Sequence, residues 1–337
     1  HTGRGGVPHA EVAALQGLGK KDLISLKGGT AYVTLEPCCH FGKTPPCSDA
    51  LIAAGIARLV IAIKDPDKRV NGVGLDKLRD AGIEIVSGVL RSEYEEIIIG
   101  FIKKIQYHKP FCSVKVASSL DGRIAFPDKK NRWLTGPQMR RYVHILRSQS
   151  DAIITGVGTV IADDPRLDCR VEGLQDDSPP IYIFDRCLRI PKKAKIFKSR
   201  LPVTIFCSDA APINRRKLFC DEGVSVVVLP VDDFGNPDVG AAMTYLGSKG
   251  TNHALVEAGS GLLTAFFLAG AVDRVYWTQS NHLLGSDALA AIGKFSRESI
   301  NDVAIFLENK YYQSDHRVVG NDRLTVLNKA NIICGEI

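Results

Sequence analysis

The sequence lacks several features by which some classes of protein are identified. It has no apolar run long enough to span a bilayer, no internal repeat and no low-complexity segment. Its formal net charge is only +6, and no block of lysine and arginine stands out. Aromatic residues make up 7% of the chain, whereas an enzyme that edits nucleic acid needs aromatic rings that stack on bases in a basic groove. We therefore expect neither a membrane nor a nucleic acid as partner.

A disulfide framework is also absent, because the nine cysteines are an odd number without regular spacing. Such usage is typical of a reducing compartment, so we expect a cytoplasmic protein whose thiols are mostly buried. The chain does have 337 residues and a hydrophobic content of 45%, which is enough for two globular domains that each bury a core. Its mild positive charge would suit a phosphorylated small molecule as substrate.

Apolar runs typical of buried strands alternate with segments of helical periodicity, which predicts an α/β fold. A linker is expected at residues 107–110, because Pro110 disfavours helix in the residue before it. The predicted domains are therefore residues 1–108 and 109–337. In the first domain the predicted strands cover residues 31–35, 59–63 and 83–86, and the helices 9–18, 48–54, 74–81 and 92–107. In the second, strands are predicted over residues 111–117, 151–155, 181–184, 203–206, 224–229, 254–257, 274–278, 303–307 and 323–327, a loop over 232–238, and helices from Pro137 and over 262–268.

Three residues of the first domain form a zinc-ligand pattern: His9, Cys38 directly after a proline, and Cys47. One imidazole and two thiolates leave a tetrahedral zinc ion with one open position for water, which is the arrangement of catalytic zinc sites. Glu11 lies two residues after His9, where it is placed to move protons between that water and a leaving amine. The pattern predicts a zinc-dependent deaminase with one zinc ion per chain.

Two other interpretations of this pattern stay open. Cys39 or His40 could supply a fourth ligand, which would make the site a structural zinc module that binds partners. The cysteines could also be buried thiols without a metal. The order of histidine, glutamate, proline–cysteine and a later cysteine favours the catalytic interpretation.

Two glycine turns follow predicted strands of the second domain, Gly156-Val157-Gly158 and Gly259-Ser260-Gly261. The full dinucleotide fingerprint Gly-x-Gly-x-x-Gly is absent, and either turn alone is more often a plain tight turn. The second turn enters a predicted helix, whose free N–H groups could bind a phosphate.

Longer stretches carry a resemblance to a known family, among them GGVPHAEVAAL, EPCCHFGKTPPC, SLDGRIA, DAIITGVGTVIADDP and ALVEAGSGLLTAF. Together they resemble the bifunctional deaminase/reductase enzymes of riboflavin biosynthesis, from about residue 5 to about residue 290. The resemblance implies a cytidine-deaminase-like α/β/α domain, a dihydrofolate-reductase-like α/β domain that uses NADPH, and a homo-oligomer. It also implies a further helix and strand pair before His1, so a reductase with a truncated, silent deaminase half is one alternative.

The resemblance assigns roles residue by residue. It puts zinc on His9, Cys38 and Cys47 and makes Glu11 the proton shuttle. Positions that match cofactor contacts are Ala117, Trp133, Thr159, Asp163, Arg186, Gly259, Ser260, Gly261, Leu262, Leu263, Thr264 and Ala265. Positions that match substrate contacts are Asn131, Arg147, Leu167, Arg170 and Glu257.

Several of these roles have a physical rationale and an alternative. Arg147 and Arg170 could bind a substrate phosphate bidentately, or they could form salt bridges instead. Trp133 could pack on the cofactor or in the core. Asp163 and Glu257 could orient or protonate the reacting ribosylamine, or they could cap helices and turns.

The implied reaction has two steps. The first domain would hydrolytically deaminate 2,5-diamino-6-ribosylamino-4(3H)-pyrimidinone 5′-phosphate, and the second would reduce the ribosyl group to ribityl with NADPH. The alternatives are the reductase alone, a nucleic-acid-editing zinc deaminase and the structural zinc module.

Overall fold

A computed structural model describes residues 6–19, 24–42, 44–67, 70–126, 133–199, 201–293, 310–330 and 332. The chain divides into two compact units, and the division falls between Gln106 and Tyr107. The predicted strand over residues 303–307 and the predicted site residue Asn131 lie outside the described residues. In the described part of the chain, no helix has the length and apolar character that crossing a membrane requires.

The first unit is a small parallel sheet with helices between its strands. Its elements are α1 Ala10–Gln16, β1 Thr30–Leu35, α2 Cys47–Ala53, β2 Arg58–Ile63, α3 Val73–Asp80, β3 Glu84–Ser87 and α4 Arg91–Tyr107. The three strands lie in the order β1-β2-β3. β2 is apolar after its first residue, Arg58, because both of its faces are covered: Leu59 and Ile61 pack with α3, and Ala62 and Ile63 pack with Ile102 of α4.

The second unit is built on a nine-stranded sheet in the order β13-β14-β11-β4-β10-β6-β7-β8-β9. The strands from β11 to β9 run parallel, and β13 and β14 add an antiparallel hairpin at one edge. The elements are β4 Phe111–Ser118, β5 Arg123–Ala125, α5 Pro137–Ser148, β6 Ala152–Gly156, α6 Val157–Asp163, β7 Ile181–Phe184, β8 Val203–Cys207, α7 Ile213–Asp221, β9 Ser225–Val228, α8 Val239–Ser248, β10 His253–Val256, α9 Ser260–Leu268, β11 Arg274–Gln279, β12 Leu289–Ala290, β13 Tyr311–Val319 and β14 Asp322–Lys329.

Helices cover both faces of this sheet. Met243 of α8 and Phe266 of α9 belong to one apolar cluster, whereas Met139 of α5, Val160 of α6 and Phe219 of α7 belong to the other. β10 follows β9 in the chain but lies between β4 and β6, so the direction of the chain through the sheet reverses there. In α/β sheets of this kind, ligands bind at the carboxyl ends of the strands beside such a reversal.

The predicted strands of the described residues are present, with ends that differ by a few residues. Helices α6, α7 and α8 and strands β5, β12 and β13 were not predicted. For α6 the reason is local, because the glycines of Gly156-Val157-Gly158 suggest a turn and yet α6 begins at Val157. α7 carries Arg215, Arg216 and Lys217 and has little apolar periodicity, so its helical pattern is weak in the sequence.

Candidate functional sites

Three side chains that are distant in sequence meet in the first unit. His9 precedes α1, Cys38 follows β1, and Cys47 is the first residue of α2. His9 Nδ1 lies 3.3 Å from Cys47 Sγ and 3.5 Å from Cys38 Sγ, and the backbone N–H of Cys47 donates to Cys38 Sγ at 3.3 Å. The nitrogen and the two sulfurs all lie within 4.8 Å of one another. One nitrogen and two sulfurs therefore face a common point.

This donor set fits a zinc ion. Bond lengths of about 2.0–2.1 Å to nitrogen and 2.3 Å to sulfur place the nitrogen and sulfur atoms of a tetrahedral site about 3.6 Å apart. The observed nitrogen–sulfur separations are 3.3 and 3.5 Å. Among the described residues, neither Cys39 nor His40 joins the cluster, so no fourth protein ligand closes it as a structural zinc site requires.

The pKa values of the two thiols in the cluster shift in opposite directions. The hydrogen bond with Cys47 lowers the pKa of Cys38 to about 5, and the same hydrogen bond raises the pKa of Cys47. Burial and then the negative charge of Glu11 raise the pKa of Cys47 further, which places the Glu11 carboxylate beside the cluster. The structure thus places the Glu11 carboxylate near Cys47, where a proton shuttle would act.

Glu36 is a buried carboxylate whose structural role was not predicted from the sequence. It is 3% exposed and accepts backbone N–H groups from Gly72 at 2.8 Å, Gly74 at 3.0 Å and Leu75 at 3.2 Å. It also accepts the N–H of Asp65 at 3.2 Å. Glu36 therefore caps the N-terminus of α3 from a distance and ties it to the segment that carries Cys38.

In the second unit the two glycine turns meet at the carboxyl edge of the sheet. The N–H of Gly259, after β10, donates to Thr159 Oγ1 at 3.0 Å. A Cβ on Gly156, at the end of β6, would lie 3.5 Å from the side chain of Leu262. The starts of α6 and α9 therefore lie close together at this edge of the sheet.

A buried group of charges lies at the same edge. Arg147 donates from Nε to Glu257 Oε1 at 2.5 Å and from Nη2 to Oε2 at 2.9 Å, and Lys115 Nζ lies 3.5 Å from Oε2. Burial alone would raise the pKa of Glu257, but the positive charges of Arg147 and Lys115 outweigh it and lower the pKa to about 2. Glu257 is therefore a carboxylate at neutral pH. Sequence reasoning missed Lys115, although a lysine inside an apolar strand is a signal that could have found it.

Arg170 belongs to a second, more open group. It pairs with the carboxylate of Asp168, which also pairs with Arg166 at 2.8 Å. The side chains of Arg140, Arg141, His144 and Arg170 line an open cavity of about 380 Å³ together with Pro137, Val171 and Glu172. This cavity therefore presents mainly positive charge, which suits an anionic group of a ligand.

The remaining predicted residues differ in position. Trp133 is 61% exposed, with the guanidinium of Arg140 4.7 Å from its ring, so it is not a core residue. Leu167 is 3% exposed and has a positive φ of 56°, so it is a buried residue in a left-handed turn and its side chain packs in the core. Ala117 lies on β4 two residues after Lys115, and Asp163 is exposed at the end of α6.

Around the start of α9, Ser260, Leu263 and Thr264 are buried and Gly261 is exposed, with Leu262 and Ala265 between these extremes.

Arg186 lies two residues beyond the end of β7, at the carboxyl edge but outside the buried group of charges. Its Nη1 donates to the carbonyl oxygen of Phe234 at 3.0 Å. Both residues are exposed, so the guanidinium faces solvent beside the loop after β9.

Known proteins match both units. Residues 1–63 match the family described as the cytidine and deoxycytidylate deaminase zinc-binding region, and residues 110–314 match the family described as the RibD C-terminal domain. Riboflavin biosynthesis protein RibD of Escherichia coli (strain K12) is 40% identical over 296 residues, which cover 85% of this chain and 78% of that protein. The protein of the same name from Aquifex aeolicus (strain VF5) is 36% identical over 299 residues, covering 89% and 80%.

Solved structures agree with these matches. Acinetobacter baumannii RibD, form 1, has a TM-score of 0.82 at 32% identity and covers 96% of this chain and 86% of its own. A Thermotoga maritima structure described as a diaminohydroxyphosphoribosylaminopyrimidine deaminase/5-amino-6-(5-phosphoribosylamino)uracil reductase has a TM-score of 0.81 at 30% identity, with the same coverage.

A zinc-deaminase region followed by a reductase domain defines a bifunctional deaminase/reductase. The chain belongs to the RibD family, and it is an enzyme of riboflavin biosynthesis with deaminase and reductase activities. The predicted family, the α/β fold class with a cytidine-deaminase-like region before a reductase domain, and the predicted function are thereby confirmed.

Proposed function

We propose that the first unit removes the 2-amino group of 2,5-diamino-6-ribosylamino-4(3H)-pyrimidinone 5′-phosphate at a zinc site formed by His9, Cys38 and Cys47. The observation that carries this proposal is the cluster of one nitrogen and two sulfurs within 4.8 Å. A bound zinc ion supplies Lewis acidity and a water of lowered pKa as the nucleophile.

The residues of the chain supply the proton transfers. Glu11 lies in the first turn of α1, two residues after the proposed ligand His9, so helix geometry fixes its carboxylate beside the site. We assign Glu11 to accept the two protons of the attacking water in turn, delivering the first to a ring nitrogen and the second to the amino group, which leaves as ammonia while the water oxygen stays on the ring carbon. Cys38 and Cys47 leave the site open on one side, where the pyrimidine enters.

The second unit, in this proposal, reduces the ribosyl group of the deaminated product to ribityl with NADPH. NADPH supplies the hydride, and the protein orients it against the sugar. The two glycine turns support the cofactor assignment, because the N–H groups at the starts of α6 and α9 suit the pyrophosphate. Ala117, Trp133, Thr159 and Asp163, together with Leu262, Leu263, Thr264 and Ala265, stay assigned to the cofactor.

The buried charges suggest how the sugar is held. Glu257 is ionised, so it accepts hydrogen bonds from sugar hydroxyls, whereas the neighbouring Lys115 ammonium is able to donate a proton to the sugar oxygen as hydride arrives. Arg147 uses Nε and Nη2 on Glu257, so we assign it to orient that carboxylate. We therefore assign the substrate phosphate to Arg170 and the cavity that it lines. Leu167 and Asn131 keep their predicted roles as substrate contacts.

Zinc-binding thiolates must stay reduced, so we place the enzyme in a reducing compartment such as the cytoplasm. A homo-oligomeric state, and the lack of nucleic-acid or membrane partners, stay predictions.

Replacing Glu11 by glutamine tests the two-site proposal. The carboxamide is nearly isosteric but does not accept a proton, so ammonia release should fall by roughly 10²–10⁴-fold. Reduction of the deaminated substrate, followed by NADPH absorbance, should stay unchanged. Glu93→Gln, which alters an exposed carboxylate in the first turn of α4, serves as the control for both assays.

Three other outcomes would contradict parts of this proposal. Deamination near the wild-type rate in Glu11→Gln would exclude Glu11 as the shuttle. Equal loss of both activities would contradict two separate sites. A wild-type protein that reduces the deaminated substrate but releases no ammonia would be a reductase only.

A further inference from the structure

We infer that Asp168 is a positioning residue: its carboxylate holds the guanidinium of Arg170 in place for the substrate phosphate. The inference rests on the proposed function, which assigns that phosphate to Arg170. It adds a residue that acts through another side chain and yet sets how strongly the second unit binds its substrate. The expected effect of removing the Asp168 charge is weaker binding, whereas simple repulsion between a carboxylate and a phosphate predicts tighter binding.

The backbone that carries Asp168 is held by its surroundings at three points. Leu167, on one side of it, packs in a core cluster, and the N–H of Cys169, on the other side, donates to Ser178 Oγ at 2.9 Å. From α5, Arg147 Nη1 donates to the carbonyl oxygen of Asp168 at 3.0 Å. None of these three contacts uses the Asp168 side chain, so a conservative change of that side chain should leave the backbone in place.

His144 adds a further contact between this segment and α5. Its Nδ1 lies 3.0 Å from the carbonyl oxygen of Asp168 and 3.3 Å from the backbone nitrogen of Arg170. Burial, and then the positive charges of Arg147 and Arg170, lower the pKa of His144, so the ring is neutral at pH 7. A neutral Nδ1 either donates to the carbonyl oxygen or accepts the N–H, and both alternatives hold residues 168–170 against the helix.

The Asp168 carboxylate pairs with guanidinium groups through both of its oxygens. Oδ1 accepts a hydrogen bond from Arg170 Nη1, and Oδ2 pairs with Arg166 Nη2 at 2.8 Å. The Asp168 side chain is 10% exposed, whereas those of Arg166 and Arg170 are 56% and 46% exposed. The two arginines therefore cover the carboxylate, and an anion that enters from solvent meets a guanidinium first.

Arg170 keeps donors for a ligand while it is held in this way. In the part of the chain that the structure describes, Nη1 bonds to Asp168, and Nε and Nη2 make no hydrogen bond. A charge-assisted hydrogen bond to a carboxylate is strong enough to order a long side chain. An arginine that is ordered in advance loses little further entropy when it binds a phosphate. Asp168 thus prepares Arg170 for the substrate.

Asp168 also connects the two ends of the proposed substrate site. Its carbonyl oxygen is bound by Arg147, whose Nε and Nη2 bind Glu257, the carboxylate proposed to hold the sugar. Its own carboxylate is bound by Arg170, which is proposed to hold the phosphate. The phosphate is remote from the reacting carbon, so a loss of this contact should raise KM with little effect on kcat.

Steady-state reduction by the full chain tests the inference with two substrates, the deaminated ribosylamine phosphate and the same compound without its phosphate. Asp168→Asn keeps the size of the side chain and the backbone carbonyl but removes the charge. It should raise KM for the phosphorylated substrate roughly three- to tenfold, as expected when one long side chain must be ordered on binding, and change kcat less than about twofold. For the unphosphorylated compound, kcat/KM should stay within about twofold of wild type.

Glu172→Gln is the matched control, because Glu172 is an exposed carboxylate that lines the same cavity. Among the described residues it forms no ion pair. Its removal takes the same charge away from the phosphate, so KM should stay the same or fall by up to about twofold. A fall of KM in Asp168→Asn as well would overturn the inference and make Asp168 a competitor of the phosphate. An equal rise of KM in both variants would also contradict it.

A double-variant cycle separates the role of Asp168 from general damage to the fold. Arg170→Gln alone should raise KM for the phosphorylated substrate at least about tenfold, because it removes charge-assisted hydrogen bonds. In the Arg170→Gln background, Asp168→Asn should add less than about twofold, since the group that it positions is no longer there. Full additivity of the two effects would show that Asp168 does not act through Arg170.

The outcomes also separate this inference from the proposed function. If Arg170→Gln leaves KM unchanged, the assignment of the phosphate to Arg170 fails, and the inference fails with it. If Arg170→Gln raises KM and Asp168→Asn does not, the phosphate assignment stands and the inference alone is wrong.

Discussion

The candidate metal site depends on three side chains that come from three different parts of the chain. Neither helix nor strand alone places His9, Cys38 and Cys47 within 4.8 Å; the contact between α1 and α2 and the end of β1 do so together. Because Cys47 starts α2, its backbone N–H is free to donate to Cys38 Sγ, which stabilises the thiolate form of Cys38.

Removal of one thiol should therefore empty the site. Cys38→Ser and Cys47→Ser each replace a thiolate by a hydroxyl that stays protonated at neutral pH, so zinc content should fall from about one per chain to below roughly a tenth of that value. Cys39→Ser should keep the full zinc content, since Cys39 lies next to Cys38 but does not join the cluster. Metal analysis of the purified variants measures this. Full zinc in Cys38→Ser or Cys47→Ser would exclude that residue as a ligand.

Site residues could be predicted from the sequence where residues with related chemical roles lie close together in the chain. His9 with Glu11, and the proline before Cys38, form such local patterns. The pairing of Arg147 with Glu257 could not be read in this way, because the two residues are 110 positions apart and meet only when β10 inserts beside β6. A salt bridge was therefore only one of two alternatives for Arg147 until the topology was known.

At the scale of elements, the candidate zinc site and the candidate cofactor site are both formed at the first residues of helices rather than along helix faces. α2 begins with a metal-site cysteine, and α6 and α9 begin with the glycine turns. The apolar periodicity that predicts a helix does not define its first residue. The predicted helix therefore begins at Leu262, whereas α9 begins two residues earlier, at Ser260. The fold class was more readily predicted than these ends, because alternating strands and helices are long patterns.

α3 is held by a residue outside itself, and this gives a prediction about stability. Glu36→Gln replaces one carboxylate oxygen by an NH2 group, which is itself a donor. In either orientation of the amide this group faces buried N–H groups, those of Gly72 and Asp65 or those of Gly74 and Leu75. An unsatisfied buried group costs about 1–3 kcal/mol, so the first unit should lose at least about 2 kcal/mol of stability. Hydrogen exchange of the amides in residues 72–75 should accelerate to match.

Asp76→Asn provides the matched control on the same helix. Asp76 is an exposed carboxylate paired with Arg79 at 2.7 Å, and such surface pairs contribute little, typically below about 1 kcal/mol. This variant should leave exchange at residues 72–75 close to wild type. Equal acceleration in both variants would show that helix charge, rather than the Glu36 cap, holds α3 in place.

At the scale of the whole molecule, each unit has its own apolar core. The two clusters of the second unit draw only on residues from Cys112 onward, and the two of the first unit only on residues up to Ile102. All nine strands of the large sheet likewise belong to the second unit. The length and composition of the sequence predict two domains. They do not predict which side chains form each core, and in the described residues every core cluster belongs to one unit alone.

Separate cores predict that the second unit folds and works alone. The fragment should begin at Tyr107 rather than at residue 109, because a Cβ on Gly247 of α8 would lie 2.1 Å from the carbonyl oxygen of His108, so the segment before β4 packs closely on that helix. Residues 107–337 should therefore unfold cooperatively, and both tryptophans, Trp133 and Trp277, lie within the fragment to report it.

The same fragment should oxidise NADPH with the deaminated ribosylamine phosphate at a kcat/KM within about threefold of the full chain, since the glycine turns and the group formed by Lys115, Arg147 and Glu257 all lie within it. The full chain carrying Glu11→Gln is the control, because it keeps both units but lacks deamination. A fragment that folds and binds NADPH, but does not oxidise it while this control does, would show that reduction needs the first unit. Such a result would contradict the domain assignment itself, because every group proposed for hydride transfer would then be present and correctly folded without being sufficient.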